Sequence, residues 1–342
     1  MRRPTMSALA KEAGVGLSTV DRVINGRAPV EAATAQRVLE AAERIGYYAT
    51  PLLRQRLKAD VPQRTFGFLL QQRSTEFYAG LGEALHNATA ALPEFRAEAV
   101  IEYMDDLTPA AVADAMTRMG HWTDGIAVVA ADHPIVSSAI DALAADSIPV
   151  VALVSDLTAP SRAAYVGLDN RKVGRSAAWF LSQKLSRMAT TAIMVGSHRY
   201  LCQEANEIGF RSFLREHAPT TVLLDPVATL ENDHYAFEAA LDLVRRRRLD
   251  GIYVAGGGIK GVLDALRQVE PERRPVTVAH DLTEVTARGL DEGLLHAVLS
   301  HPIDMVARQA VRVLAQGAPP AGTTGHLLQH HLPLQIAIPE SR

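Results

Sequence analysis

Hydrophobic positions recur along this chain in two different patterns, and the change between them falls near residue 65. Before that point the pattern is helical. Met6, Leu9, Ala10 and Ala13 share one face of a helix that Thr5 can cap, and Gly14 supplies a turn residue. Val20, Val23 and Ile24 mark the inner face of a second helix, from about Leu17 to Asn25, which Asn25-Gly26 stops. Val38, Leu39, Ala42 and Ile45 mark a third, which begins after Pro29-Val30 and ends at Gly46. Three short helices with a tight turn between the first two predict a helix-turn-helix unit, whose second helix enters the DNA major groove.

From Thr65 onward, short apolar runs alternate with amphipathic stretches. Strands are predicted at 65–70, 97–101, 125–130, 149–154, 164–168, 190–196, 221–225, 251–255, 276–280 and 295–299, most of them separated by helices. That alternation implies parallel sheets covered on both faces. About 275 residues of it is too much for one sheet, so two doubly wound lobes are expected, with ligand at the carboxyl ends of the strands. The predicted architecture is an all-α helix-turn-helix head (residues 1–47), a hinge (48–64) and an α/β two-lobed body (65–342). Lobe 1 is drawn at roughly 65–160 and 298–322, and lobe 2 at 161–297 and 323–342.

Composition adds little until the charge is divided. The 342 residues are 48% hydrophobic and 21% charged, as in soluble globular proteins. No apolar run approaches the roughly 18 residues that cross a bilayer. The N-terminus lacks a secretory pattern and Cys202 is the single cysteine, so a cytoplasmic, nucleoid-associated protein is expected. Residues 1–64 hold eleven Lys/Arg against six Asp/Glu, a net of +5. The remainder holds 24 against 32, a net of −8. A basic head on an acidic body points to a polyanion partner for the head alone.

The stretch from Met6 to Gly26 reads M-S-A-L-A-K-E-A-G-V-G-L-S-T-V-D-R-V-I-N-G, and 38–47 reads V-L-E-A-A-E-R-I-G-Y. This resembles the head of the lactose-repressor (LacI/GalR) family, with its pattern V-A-x-x-A-G-V-S-x-x-T-V-S-R-V-L-N-G. The resemblance implies a sequence-specific regulator, expected to be a repressor, that binds a near-palindromic double-stranded operator as a homodimer. It makes Leu17, Ser18 and Arg22 the base readers and sets Thr19 and Asn25 on the backbone. Arg22 can pair bidentately with guanine, and Leu17 can meet a thymine methyl. Gly16 and Asp21 depart from the pattern, each replacing a serine. In the hinge, Leu57 is the candidate minor-groove wedge, with Leu53 second. No heptad follows Pro339, so no tethered tetramer is expected.

The body is similar to the ribose-binding type of periplasmic sugar-binding protein. Tyr165-Val-Gly-Leu-Asp-Asn170 with Gly174, Asn206-Glu-Ile-Gly-Phe-Arg211 and Val278-Ala-His-Asp281 carry the likeness, in order and spacing. The resemblance implies that Phe77, Tyr78, Asp156, Asn206, Gly258, Asp281 and His301 meet a small polyhydroxylated effector, a sugar or cyclitol. Asn206 stands where the family has arginine, and Gly256–Gly258 where it has an Asn-Asp pair.

Two rival classes have some support in the sequence. Gly256-x-Gly258-x-x-Gly261, with Asp281 twenty residues on, formally meets a dinucleotide fingerprint and would make an oxidoreductase. It stands late in the chain, and the first strand lacks such a turn. A free solute-binding protein is opposed by the basic head. No nucleotide cofactor or metal is expected: Lys260 lacks a P-loop context, and His326, His330 and His331 lie in a strand-like tail whose neighbours face opposite ways.

Overall fold

The computed structural model describes residues 4–25, 30–59, 62–186, 188–246, 249–317 and 328–341, without the side chains of residues 32 and 55–59. The chain forms two compact units, residues 1–64 with 92–97, and residues 65–91 with 98–342.

In the first unit, α1 (Met6–Ala13), α2 (Leu17–Asn25) and α3 (Ala32–Ile45) follow the sequence pattern closely. The Thr5 side chain accepts from the Ala8 N–H at 3.3 Å, and Gly14 turns the chain in the left-handed region (φ 65°). Leu9, Val20, Val23, Ile24, Val38 and Leu39 form the core. A fourth helix, α4 (Thr50–Ala59), continues from α3 through Tyr47. Leu53 is only 1% exposed and packs in this core with Tyr47 and Ala49, which removes it as a candidate wedge. The Leu57 side chain lies outside the described residues.

The second unit has two sheets. One runs in the order β12-β5-β4-β3-β1-β2, from β1 (Gln63–Gln71), β2 (Arg96–Met104), β3 (Gly125–Val128), β4 (Val150–Leu153), β5 (Ala164–Gly167) and β12 (Leu328–His331). The other runs β13-β11-β10-β9-β6-β7, from β6 (Thr190–Val195), β7 (Val222–Leu223), β9 (Gly251–Val254), β10 (Val276–His280), β11 (Ala297–Ser300) and β13 (Gln335–Ala337), with β8 (Val227–Ala228) also on β6. Strands β3, β4, β9 and β11 are buried throughout, and the first three read as unbroken apolar runs for that reason. Helices α5 (Glu76–Ala90), α6 (Pro109–Gly120) and α7 (Pro134–Ala145) belong to the first lobe; α8 (Asn170–Lys184), α9 (Leu201–His217), α10 (Asp233–Arg246), α11 (Ile259–Arg267) and α12 (Glu284–Asp291) belong to the second. The last long helix, α13 (Ile303–Gln316), returns to pack on α5 and β4 of the first lobe.

The lobe boundaries need correction. Strand β5 pairs in parallel with β4, so the first crossing comes after Gly167, not at 160. Strand β12 pairs with β5, which keeps 328–331 in the first lobe, and the last crossing occupies residues 332–334. Strand β11 pairs with β10 and β13, so 297–300 belongs to the second lobe. Strands of four residues carry too little pattern to say which sheet they join.

Helices α8 and α9 meet at unusually close range. A Cβ on Gly174 would lie 1.9 Å from the Asn206 carbonyl oxygen, and one on Gly209 would lie 2.1 Å from the Arg171 carbonyl oxygen. The two glycines of the body's sequence signatures thus let one helix backbone rest on the other. That contact sets Asn170 and Asn206 beside the cleft.

Candidate functional site

Two surfaces carry chemistry. On the head, α2 buries Val20, Val23 and Ile24 and leaves Leu17, Ser18, Arg22 and Asn25 exposed, with Thr19 partly covered. Leu17 is 51% exposed, a large apolar side chain kept in water at the start of the helix that reads DNA in this motif. The Asn25 amide donates to Asp21 Oδ1 at 2.6 Å. The anion that replaces serine at 21 therefore has a partner within its own helix, and the second N–H of the Asn25 amide is left for a phosphate. Two other head cations are engaged between helices: Arg44 with Glu12 at 3.0 Å and Arg54 with Glu43 at 2.6 Å.

In the body, a cavity of about 470 Å³ opens between the carboxyl ends of the two sheets. It is the size of a small-metabolite site. Of the seven positions expected there, Phe77, Tyr78, Asn206, Gly258, Asp281 and His301 line it. Asp156 does not. It forms an ion pair with the buried Arg162 (Nε–Oδ1 2.7 Å), whose Nη2 donates to Oδ2 at 2.8 Å while its Nε–H donates to the Leu157 carbonyl, and it accepts from the Gln329 amide at 3.2 Å, so it anchors β12 beside β5. The family resemblance suggested a ligand contact there; Arg162, six residues on, was the signal against it.

Phe77 and Tyr78 begin α5, their rings edge-on at 5.1 Å, and Phe77 lies 5.5 Å from the His301 ring. Asp281 ends β10 with left-handed backbone (φ 56°), and its Oδ1 accepts both the His301 N–H at 3.0 Å and the Nδ1–H at 2.7 Å. Burial pushes the Asp281 carboxyl up, but the His301 charge and hydrogen bonds outweigh it and hold the group below the usual range. The other ring nitrogen, His301 Nε2, is buried without a hydrogen-bond partner. Asn206 Oδ1, on a residue 2% exposed, is likewise buried and unpartnered. Behind them His280 is driven down to about 4, mainly by burial, and its Nε2 accepts from the Tyr253 hydroxyl at 2.6 Å.

The sequence reading missed Glu231. It follows the two-residue strand β8 in a loop where Leu230 and Glu231 both have left-handed backbone (φ 53° and 56°). Its Oε1 accepts from the Gln203 amide at 2.6 Å, and Gln203 Oε1 in turn accepts the Gly196 and Ser197 N–H groups. The Gly257 N–H also donates to the carboxylate. A Cβ on Gly257 would lie 1.9 Å from Glu231 Oε2, and one on Gly256 would lie 2.2 Å from the Gly196 nitrogen. The glycine run that suggested a dinucleotide fingerprint thus makes room for a carboxylate. Burial raises the pKa of Glu231 despite these hydrogen bonds.

The lobes touch across the cleft. The Gln71 amide donates to the Tyr200 hydroxyl at 2.9 Å, the Cys202 N–H to Ser155 Oγ at 3.4 Å, and the Val285 N–H to Glu76 Oε2 at 3.2 Å. Burial pushes the Cys202 thiol up to about 12, so it is a neutral wall of the cavity.

Residues 66–318 match the profile of the periplasmic binding protein domain, and residues 5–49 match that of the bacterial regulatory proteins of the lacI family. Over 83 residues the chain is 35% identical to catabolite control protein A of Priestia megaterium, a match that spans 24% of this chain and 24% of that protein. The fold is shared with the glucose-galactose binding protein GanP of Geobacillus stearothermophilus (TM-score 0.70, 20% identity, 81% of this chain and 98% of that one). It is also shared with an ABC transporter solute binding protein of Burkholderia graminis in complex with D-arabinose (TM-score 0.70, 17% identity, 82% and 97%). Among the described residues, no helix is long and apolar enough to cross a membrane.

Proposed function

The chain belongs to the lacI family of bacterial regulatory proteins, with a periplasmic binding protein domain as its body, and from this we propose that it is a cytoplasmic DNA-binding repressor whose operator affinity is set by a small polyhydroxylated effector. The observation that carries the reading is α2, whose inner face is core and whose outer face offers Leu17, Ser18 and Arg22 to solvent. One such head covers too little DNA to be both tight and specific, so two copies act together on a near-palindromic operator.

The effector is held in the cleft by Phe77, Tyr78, Asn206, Asp281 and His301, which combine ring faces with hydroxyl partners. Glu231 and the backbone at Gly258 join them. A molecule there touches both lobes, and it alters DNA binding by favouring one arrangement of the lobes over another. The helix α4, between head and body in sequence, is the element through which that preference reaches the DNA.

Selection from random duplexes tests the DNA reading. The chain is expected to enrich a two-fold site, and Arg22→Ala should cost roughly 1–3 kcal/mol per head and relax one position in each half-site. An unchanged preferred sequence in that variant would mean that α2 does not read bases.

A further inference from the structure

Resting on the cleft being the effector site, we propose that the effector carries an ammonium group as well as hydroxyls, as an amino sugar or aminocyclitol does, and that Glu231 is the carboxylate that selects it.

The cavity is rich in acceptors and short of cations. No arginine lines it among the described residues, and its one lysine, Lys260, is committed to Asp264 at 3.0 Å with its side chain 61% exposed. Against that stand four carboxylates, Glu76 and Asp233, which are exposed, and Glu231 and Asp281, which are more enclosed. Asp281 has a partner in His301 that can carry charge. The fixed partners of Glu231, the Gln203 amide and the Gly257 N–H, are both neutral. A half-buried carboxylate with neutral partners lacks a counter-ion, and a bound cation is the group that would supply one.

One further atom asks for a donor. Asn206 Oδ1 is buried and unpartnered in a residue 2% exposed that lines the same cavity. Leaving such an acceptor unpaired is unfavourable, so the occupant that fits best is one that donates. Hydroxyls can do this singly, whereas an ammonium brings three donors and the missing charge together. The family's arginine at position 206 would oppose a cation. Asn206 removes that opposition and leaves an acceptor in its place.

The test uses the full chain and matched compounds: D-glucosamine, D-galactosamine and an aminocyclitol, each against its hydroxyl parent and its N-acetyl form. Calorimetry reads the affinities, and an operator titration reads the response. At least one amine should bind about tenfold or more tighter than its parent and its acetylated form. In Glu231→Gln the ratio of amine to parent affinity should fall to near one. If that variant fails to fold, the hydroxyl parents still decide, because they keep the size and remove the charge. A parent sugar or cyclitol that binds as well as its amine and shifts operator affinity would overturn the ammonium assignment and leave the cleft as the effector site. If neither series binds, both readings fall.

Discussion

Gly174 and Gly80 both sit inside helices of the body, yet alanine should act on them in opposite directions. In α8, a Cβ at 174 would stand 1.9 Å from the Asn206 carbonyl oxygen, where ordinary contact begins near 3.4 Å. The helices would have to part by about 1.5 Å, and the obstacle is backbone, which has no alternative rotamer. Overpacking of that kind costs about 3 kcal/mol, at the upper end of the usual range. Alanine's better helix propensity returns about 1 kcal/mol, so the net loss is about 2 kcal/mol. In α5, a Cβ at 80 would meet only the Ile303 Cδ1 atom at 3.9 Å, so the propensity gain of about 1 kcal/mol stands alone. At about 2–4 °C per kcal/mol for a body of this size, Gly174→Ala should lower Tm by about 4–8 °C and Gly80→Ala should raise it by about 2–4 °C. Calorimetric melting of the three chains, with urea titration to check that m is unchanged, makes the comparison. If Gly174→Ala melts at or above the unsubstituted chain, the close seating of α8 on α9 is wrong. The placement of Asn206 beside the cleft would then be wrong too.

Other expectations follow from the same geometry. His280 titrates near 4 when folded against 6.5 when free, so between those values the unfolded chain takes up a proton that the folded chain refuses. Stability should therefore fall by up to roughly 3 kcal/mol as pH drops from 6.5 to 4, and His280→Gln should flatten urea midpoints over that window. Asp156→Ala strands the buried Arg162 and should cost roughly 3–5 kcal/mol of body stability. Effector affinity measured on the folded fraction should scarcely change, since Asp156 does not line the cavity.

Much of the head was legible because its helices bury contiguous periodic faces and end at Gly14 and Gly46, both left-handed in the structure. The alternation of strand and helix in the body was equally plain, since β3, β4 and β9 are apolar from end to end. What the pattern did not carry was long-range pairing. Residues 328–331 lie beside 164–167 by hydrogen bonding that leaves no local trace. Six of the seven cleft positions that the family resemblance implied line the cavity. Asp156 does not, and a strand-end acid looks the same in sequence whether it meets a ligand or a buried guanidinium. Glu231 was hidden in an irregular loop. Its only sequence signal was indirect, in Gly256 and Gly257, whose missing side chains make room for it and the backbone it rests beside.

The central claim is that occupancy of the cleft and grip on DNA are one linked equilibrium. Its most direct test measures operator affinity with and without a saturating cleft ligand, and ligand affinity with and without saturating operator. The account predicts two equal factors, on the order of 5- to 150-fold, because coupling between binding sites is reciprocal. A ligand that fills the cleft and leaves operator affinity unchanged would contradict it.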